Sequence, residues 1–153
     1  MPAQQHTLLV DDLFLRYMYW SDFGIIEVAE MDGQNRSTVA LLGQHDARGL
    51  ALDVETNRLY FVSFYLSSLL YIDLNSAGNV SVETLFEDYL YLWSPRGVAL
   101  DDQFVYWNEY WTENVYRINK TTWDGRLDVI ASRLYSPRGM VVKKGNPIRE
   151  SKY

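Results

Sequence analysis

The chain alternates short apolar runs with short polar segments along nearly its whole length. In its middle part the apolar runs are GLALD, RLYFVS, LLYIDLN and VETLF, and turn-like segments such as VETN and SAGN separate them. Runs of about five to eight residues rich in Leu, Val, Ile, Tyr and Phe predict strands. No apolar stripe at helical spacing continues for three turns, so the pattern predicts an all-β protein.

The same order of predicted strands recurs along the chain. Two sets of equivalent residues mark the repeat: Gly49, Gly97 and Gly139, and Tyr19, Tyr60 and Tyr106. An interval of about 40 to 50 residues is typical of one propeller blade, although helix pairs in some solenoids have similar lengths. Because the local pattern favours strands, we predict four-stranded antiparallel blades over residues 7–43, 47–88 and 95–132, and an extra strand over 137–143. Sheets with two apolar faces must pack face to face, which predicts a partial β-propeller.

Several motifs resemble one known repeat. YMYWSD followed by EMDGQNR, and VYWNE followed by WDGR, are similar to the YWTD repeat, the class B repeat of the low-density lipoprotein receptor family, and SPRGVALD and SPRGM match its preceding segment. The resemblance implies a six-bladed propeller in which signature residues stabilise the blades. Those residues are Tyr19, Trp20, Asp22, Tyr60, Phe61, Tyr106 and Trp107, with Glu109 in the place of Asp22. The middle unit departs from the motif, because Ser63 replaces the acid.

The repeated rings and acids also have a physical interpretation. Side chains alternate between the two faces of a strand, so YMYWSD places large rings on both faces of its sheet. Such rings are more often core than ligand contacts, because aromatic burial is the larger energetic term. Asp12, Asp53 and Asp101 each close the first strand of a unit. A ring of carboxylates in a channel could bind a metal or act as catalytic acids, but the polar segments that follow favour turn formation.

Composition narrows the range of functions. The 153 residues include 20 acidic and 14 basic side chains, and the net charge of -6 disfavours nucleic acid and would attract basic partners. Cysteine is absent, which excludes disulfides and thiolate metal sites. The sequence contains no nucleophile elbow, phosphate-binding glycine loop or metalloprotease motif. We therefore predict no catalytic residue, cofactor or metal, and a propeller hydrolase remains an alternative.

One side of the predicted disc concentrates aromatic and charged residues. The loop after each second strand and the loop before each first strand emerge on the same side, because the strands alternate in direction. We predict a partner-binding surface there, made of Phe64, Tyr65, Tyr91, Trp93, Glu109, Tyr110, Trp111, Glu113, Arg48, Arg96 and Arg138. Exposed rings flanked by charge are typical of protein-binding hot spots. The alternative is that these rings cover neighbouring blades. The resemblance favours binding, because that family engages partners on this face.

These observations predict an extracellular, non-catalytic module of a lipoprotein-receptor-related protein that binds an extracellular protein. A structural spacer between other modules is a further alternative. Three Asn-x-Ser/Thr triplets, at Asn35, Asn79 and Asn119, could accept N-glycans. The sequence shows no signal peptide and no apolar run near the ~20 residues of a membrane helix. Because three blades do not close a ring, we expect either a fragment of a longer receptor that supplies the remaining blades, or a second copy of the chain.

Overall fold

The computed structural model describes residues 8–12, 16–22, 24–43, 46–76, 80–122 and 126–142. Twelve strands and no helix are found in these residues. The same part of the chain therefore contains no helix long and apolar enough to cross a membrane. The prediction of an all-β fold is confirmed.

The strands form three separate four-stranded sheets, which we call blades 1, 2 and 3. Blade 1 contains β1 (Leu8–Asp12), β2 (Tyr17–Asp22), β3 (Ile25–Glu30) and β4 (Ser37–Leu41). Blade 2 contains β5 (Arg48–Asp53), β6 (Arg58–Ser63), β7 (Ser68–Asp73) and β8 (Val82–Glu87). Blade 3 contains β9 (Pro95–Leu100), β10 (Phe104–Glu109), β11 (Asn114–Asn119) and β12 (Asp128–Ala131). Every blade is an antiparallel meander in chain order, as expected for a partial β-propeller.

A bulge in the fourth strand marks all three blades, and the extra residue is Val39 in β4, Leu85 in β8 and Ile130 in β12. The pairing of the third with the fourth strand shifts after the second residue of β3, β7 and β11. A bulge bends its strand and increases the local twist. The fourth strand of each blade therefore carries the same irregularity at the same place.

The core lies between blades rather than within them. One cluster joins blades 1 and 2 and includes Ile26, Leu59, Phe61 and Ile72. The other joins blades 2 and 3 and includes Tyr60, Val62, Leu69, Trp107 and Tyr116. Tyr60 and Phe61 are adjacent and both 1% exposed, so one strand contributes a ring to each cluster. The alternation of rings along the second strand therefore holds three blades in one stack.

The first strands of successive blades meet closely at the repeated glycines. Gly49 has a φ of +63°, and a Cβ on it would lie 2.6 Å from the backbone nitrogen of Val98. A Cβ on Gly97 would lie 3.0 Å from the carbonyl oxygen of Arg138 and 3.3 Å from the nitrogen of Met140. Only a residue without a side chain permits the first contact. Glycine is thus required where β5 reaches β9.

The predicted strand over 137–143 is wrong for residues 137–142, which form no strand, and residue 143 lies outside the described residues. This segment nevertheless contacts Gly97 of β9, much as β9 contacts Gly49 of β5. It takes the position of a first strand in a following blade. A strand needs a hydrogen-bonded partner, and no second strand of such a blade occurs among the described residues.

Candidate functional site

The loops expected on one side of the disc do lie together in blades 2 and 3. The segment before β5 contacts the loop after β6, where the amide of Phe64 donates to Asp46 Oδ1 at 3.1 Å. In blade 3 the amide of Tyr110 donates to the carbonyl of Ser94 at 3.1 Å. We call the residues Phe64, Tyr65, Tyr91, Trp93, Tyr110 and Trp111 the aromatic face.

The aromatic face contains the same three-residue arrangement in two neighbouring blades. In blade 2 the Arg48 guanidinium lies 4.8 Å from the Phe64 ring centroid, and Tyr65 packs edge-on against Phe64 at 5.5 Å. In blade 3, Arg96 lies 5.4 Å from Tyr110, and Trp111 packs edge-on against Tyr110 at 5.7 Å. The inner ring of each set is half-buried. The outer rings, Tyr65 and Trp111, are 66% and 67% exposed.

The segment before β9 carries the remaining rings. Trp93 is exposed and packs edge-on against Tyr89 at 4.1 Å. Tyr91 is 36% exposed and packs against Tyr116 at 5.4 Å, while its carbonyl accepts the indole N–H of Trp107 at 2.9 Å. Tyr91 is therefore tied into the core of blade 3, whereas Trp93 is free to contact another molecule.

Three arginines precede the repeated glycines. Arg48 is half-buried and forms an ion pair with Asp46. Arg96 is half-buried, and its Nε is buried without a hydrogen-bond partner among the described residues. Arg138 is exposed. Burial lowers the pKa of Arg96 from its ordinary value, and the positive charges of Arg48 and Arg138 lower it further.

Glu109 does not belong to the surface that the sequence predicts. Its side chain is 0% exposed. Its Oε1 accepts the amide of Ser94 at 2.5 Å, and its Oε2 accepts the amide of Thr112 at 2.6 Å. Glu109 thus joins two loops from within, and it cannot contact a partner. Glu113 is exposed and has a φ of +57°, so this residue provides the left-handed turn before β11.

Asp46 links two loops of blade 2 through hydrogen bonds, as Glu109 does in blade 3. The sequence interpretation missed this role of Asp46. Its Oδ1 accepts the Ser63 hydroxyl at 3.3 Å and the Phe64 amide at 3.1 Å. Blade 2 has Asp46 and Ser63 where blade 3 has Ser94 and Glu109. The acid and the hydroxyl have exchanged loops, and a carboxylate still links them. Comparing the paired positions of both units, rather than the signature alone, could have revealed this exchange.

The other signature residues are buried or half-buried. Trp107, Tyr60 and Phe61 are almost completely buried, and Tyr19, Trp20, Tyr106 and Asp22 are half-buried. Asp22 differs from Glu109, because its Oδ1 is buried without a hydrogen-bond partner in the part of the chain that the structure describes.

Two of the three acids that close the first strands form turns, as their polar surroundings predict, and the side chain of Asp12 lies outside the described part of the structure. Asp53 Oδ1 accepts the amide of Glu55 at 3.2 Å, and Asp101 Oδ1 accepts the amides of Gln103 and Phe104 at 2.8 and 2.7 Å. The second oxygen of Asp53 accepts Lys120 Nζ at 2.5 Å in a buried contact between blades. Across the described ranges, no group of three or more His, Cys, Asp or Glu side chains could hold a metal ion.

The two described glycosylation triplets differ in geometry. Asn119 is half-exposed, and its Oδ1 accepts the amide and hydroxyl of Thr121 at 2.9 and 3.0 Å. Asn35 is exposed, and its amide group donates to Glu30 Oε1 at 2.6 Å. Asn79 lies outside the described residues.

Comparison with known proteins agrees with the fold. No family model matches the chain. The vitellogenin receptor Yl of Drosophila melanogaster is 27% identical over 106 residues, which cover 67% of this chain and 5% of that protein. The chain therefore spans only a small part of this relative.

Two solved structures have a similar backbone. A chain of the nidogen/laminin complex superposes with a TM-score of 0.68 at 20% identity, over 87% of this chain and 50% of that one. A luciferin-regenerating enzyme superposes with a TM-score of 0.65 at 13% identity, over 90% of this chain and 50% of that one. These similarities show the fold, and they confirm a partial propeller.

Proposed function

We propose that this chain, a set of YWTD repeats folded as part of a β-propeller, is a non-catalytic module that binds an extracellular protein through its aromatic face. The observation that carries the proposal is the repeated arrangement of Arg48, Phe64 and Tyr65 in blade 2 and of Arg96, Tyr110 and Trp111 in blade 3. In both sets a half-buried ring supports an exposed one.

Exposed rings that are already fixed in place favour binding. A partner then buries a large apolar area without paying the entropy of ordering those side chains. Tyr, Trp and Arg are also the residues most enriched among hot spots of protein interfaces. Two rings that remain two-thirds exposed are not expected in a module that only separates its neighbours.

The comparisons support a protein partner and a receptor context. The curated relative is a receptor, and one similar backbone comes from a complex of two proteins, nidogen and laminin. We therefore place this chain in the extracellular part of a membrane receptor. The remaining blades of its propeller would come from a longer chain of this kind or from a second copy.

Backbone similarity to enzymes, such as the luciferin-regenerating enzyme, supports an enzymatic role. Two of the acids that the sequence raised as possible catalytic residues, Asp53 and Asp101, already have hydrogen-bond partners. Asp53 binds Lys120 and a turn, and Asp101 binds a turn and the Tyr106 hydroxyl at 2.6 Å. Neither acid is available to act on a substrate, so the non-catalytic role is the better supported one.

The test combines Tyr65→Ala with Trp111→Ala. The immobilised chain and the double variant are compared for capture of proteins from a displayed library of secreted domains. We expect the double variant to lose capture with little change in its melting temperature, because both rings are mostly exposed. Tyr17→Ala is the matched control, since Tyr17 is an exposed ring at the opposite end of β2. Equal loss of capture and stability would assign the rings to the core, and capture that resists the double substitution would reject this face.

A further inference from the structure

Arg48 and Arg96 lie where β5 and β9 touch, and Arg138 lies in the segment after blade 3 that contacts β9. Each arginine precedes one of the repeated glycines. The backbone at Gly49 contacts that at Gly97, and Gly97 contacts the carbonyl of Arg138. The three arginines therefore stand next to one another at the inner edge of the aromatic face.

The backbone directs Arg48 and Arg96 in the same way. The pairing of β5 with β6 shifts between Arg48 and Leu50, and that of β9 with β10 shifts opposite Arg96 and Gly97. A bulge of this kind changes the direction of a side chain. The Phe64 and Tyr110 rings then support the two guanidinium planes at 4.8 and 5.4 Å. A stacked guanidinium keeps its N–H groups at the edge, where they can donate to a ligand.

The charge of this cluster is only partly balanced. Asp46 pairs with Arg48. Arg96 and Arg138 form no ion pair within the described ranges, and the buried Nε of Arg96 has no hydrogen-bond partner there. Leaving a buried donor of a charged group unpaired is unfavourable. Mutual repulsion of the arginines adds to that cost, in agreement with the lowered pKa of Arg96.

We propose that Arg96 and Arg138 together bind a side-chain carboxylate of the protein partner, so that the partner presents an acidic segment to this face. The inference rests on the proposed function and adds the chemistry of the ligand. A carboxylate would accept N–H groups from the accessible edge of a guanidinium and would balance positive charge that the described residues leave unpaired. This chemistry is the opposite of what the net charge of -6 favours.

A local acidic segment fits better than a long sulfated polysaccharide. Charges beyond about 8–10 Å are largely screened at physiological ionic strength, so a few carboxylates experience mainly the arginines. A long polyanion would also cover acidic residues, such as exposed Glu113 on the same side. The exposed rings next to the arginines provide apolar area that the apolar side chains of a peptide can cover.

The test titrates the whole 153-residue chain with a short peptide that has two glutamates between Ile and Tyr residues. The arginine Nε–H signals are followed by NMR. A peptide of the same sequence with glutamines, and a heparin oligosaccharide, are the comparison ligands. We expect the acidic peptide to shift the Arg96 and Arg138 signals, and to bind about tenfold or more tightly than the glutamine peptide.

Substitutions identify the residues responsible. Arg138→Gln removes the charge of an exposed side chain, and it should lower the affinity for the acidic peptide about tenfold without affecting folding. Arg96→Lys keeps the charge but not the paired N–H groups, and it should lower the affinity for the acidic peptide as well. Arg58→Gln is the matched control, because Arg58 stacks on Tyr71 at 4.8 Å at the opposite end of blade 2. The Arg58→Gln chain should bind the acidic peptide with the same affinity as the unmodified chain.

Several results would overturn the inference. The first is that the glutamate and glutamine peptides bind equally well, or that neither binds. The second is that the chain binds heparin more tightly than the acidic peptide. The third is that neither Arg96→Lys nor Arg138→Gln changes the affinity for the acidic peptide. Each is distinguishable from failure of the proposed function, which is decided by protein capture with the Tyr65 and Trp111 variants. If protein capture depends on those rings but the affinity for the acidic peptide does not depend on the arginines, only the carboxylate site is rejected.

Discussion

A buried ion pair joins blades 2 and 3, and its loss should have a large and pH-dependent effect. Lys120 follows β11, and its Nζ lies 2.5 Å from Asp53 Oδ2 at the end of β5. The side chains are 4% and 5% exposed. Burial opposes the charge of Asp53, but the hydrogen bonds from Lys120 and Thr56 outweigh it and hold the pKa of Asp53 below its ordinary value.

Lys120→Met would leave the Asp53 carboxylate without a cation at a dry interface. Removing one partner of a buried pair costs about 3–5 kcal/mol, out of a total stability of about 5–15 kcal/mol for a typical domain. For a chain of this size the melting temperature should fall by roughly 6–20 °C. Arg36→Met is the control. Arg36 pairs with Glu27 at 2.6 Å but is 62% exposed, so solvent screens the pair and its loss should lower stability far less than the loss of Lys120.

The pH dependence tests the cause. Because the folded pKa of Asp53 is depressed, its stabilisation is present above the unfolded pKa of about 3.9 and is lost as pH falls through the folded pKa. In Lys120→Met, burial without the lysine favours the protonated carboxyl, so acid should relieve the penalty. Urea unfolding should therefore show the largest difference between the two chains near neutral pH and a smaller one below about pH 4. A difference that is under 1 kcal/mol at neutral pH, or unchanged by acid, would refute the reasoning.

Three further predictions concern single positions. Gly49→Ala should cost more than about 2 kcal/mol in urea unfolding, and clearly more than Gly33→Ala, because both glycines have positive φ but only Gly49 meets a neighbouring blade. Equal costs would show that the contact between blades is unimportant. Asp46→Ser should cost about 1–3 kcal/mol, and adding Ser63→Glu should recover part of it by recreating the arrangement of blade 3; a purely additive double variant would contradict the exchange. Expression through a secretory pathway should add an N-glycan at Asn119, as judged by the mass lost in Asn119→Gln, and an unmodified site would contradict the assignment.

The sequence predicted the blades because their determinants are local. Strand runs, turns and the spacing of Gly49 and Gly97 all recur within each unit, and the alternation of Tyr60 and Phe61 indicated two buried faces. These features do not depend on how the blades are arranged, so a single unit is enough to predict them. The repeated strand pattern predicted a partial propeller, the resemblance to the YWTD repeat agreed with it, and the structure and the comparisons confirm it.

The site was less predictable because it depends on contacts between loops. Strand alternation assigns a face to Glu109 but cannot show that two loops close over it. The role of Asp46 requires knowing that it lies opposite Ser63. The convergence of Arg96 with Arg138 depends on the contact between β9 and the segment that follows blade 3, which no single repeat contains. Net charge was misleading for the same reason, since it averages over surfaces that never meet one ligand.

The two outer blades lead to the final prediction, which concerns association. In blade 2 both central rings are buried, but Trp20 of blade 1 and Tyr106 of blade 3 are only half-buried and face away from blade 2. Each points to a sheet face that no described blade covers. Phe104 lies on the same open face as Tyr106, where Arg117 stacks on it at 4.1 Å.

Open apolar sheet faces favour contact with another sheet, so we expect the chain alone not to be a compact, stable monomer. Sedimentation velocity should show association that increases with concentration. Phe104→Lys should weaken that association with little loss of stability, whereas Phe61→Lys, inside the covered interface, should unfold the chain. A discrete dimer would match a six-bladed ring made from two copies, and broad aggregation would match blades that require the rest of a longer chain. A monodisperse monomer with a cooperative melt at high concentration would contradict the prediction, because it would mean that the two outer faces need no cover.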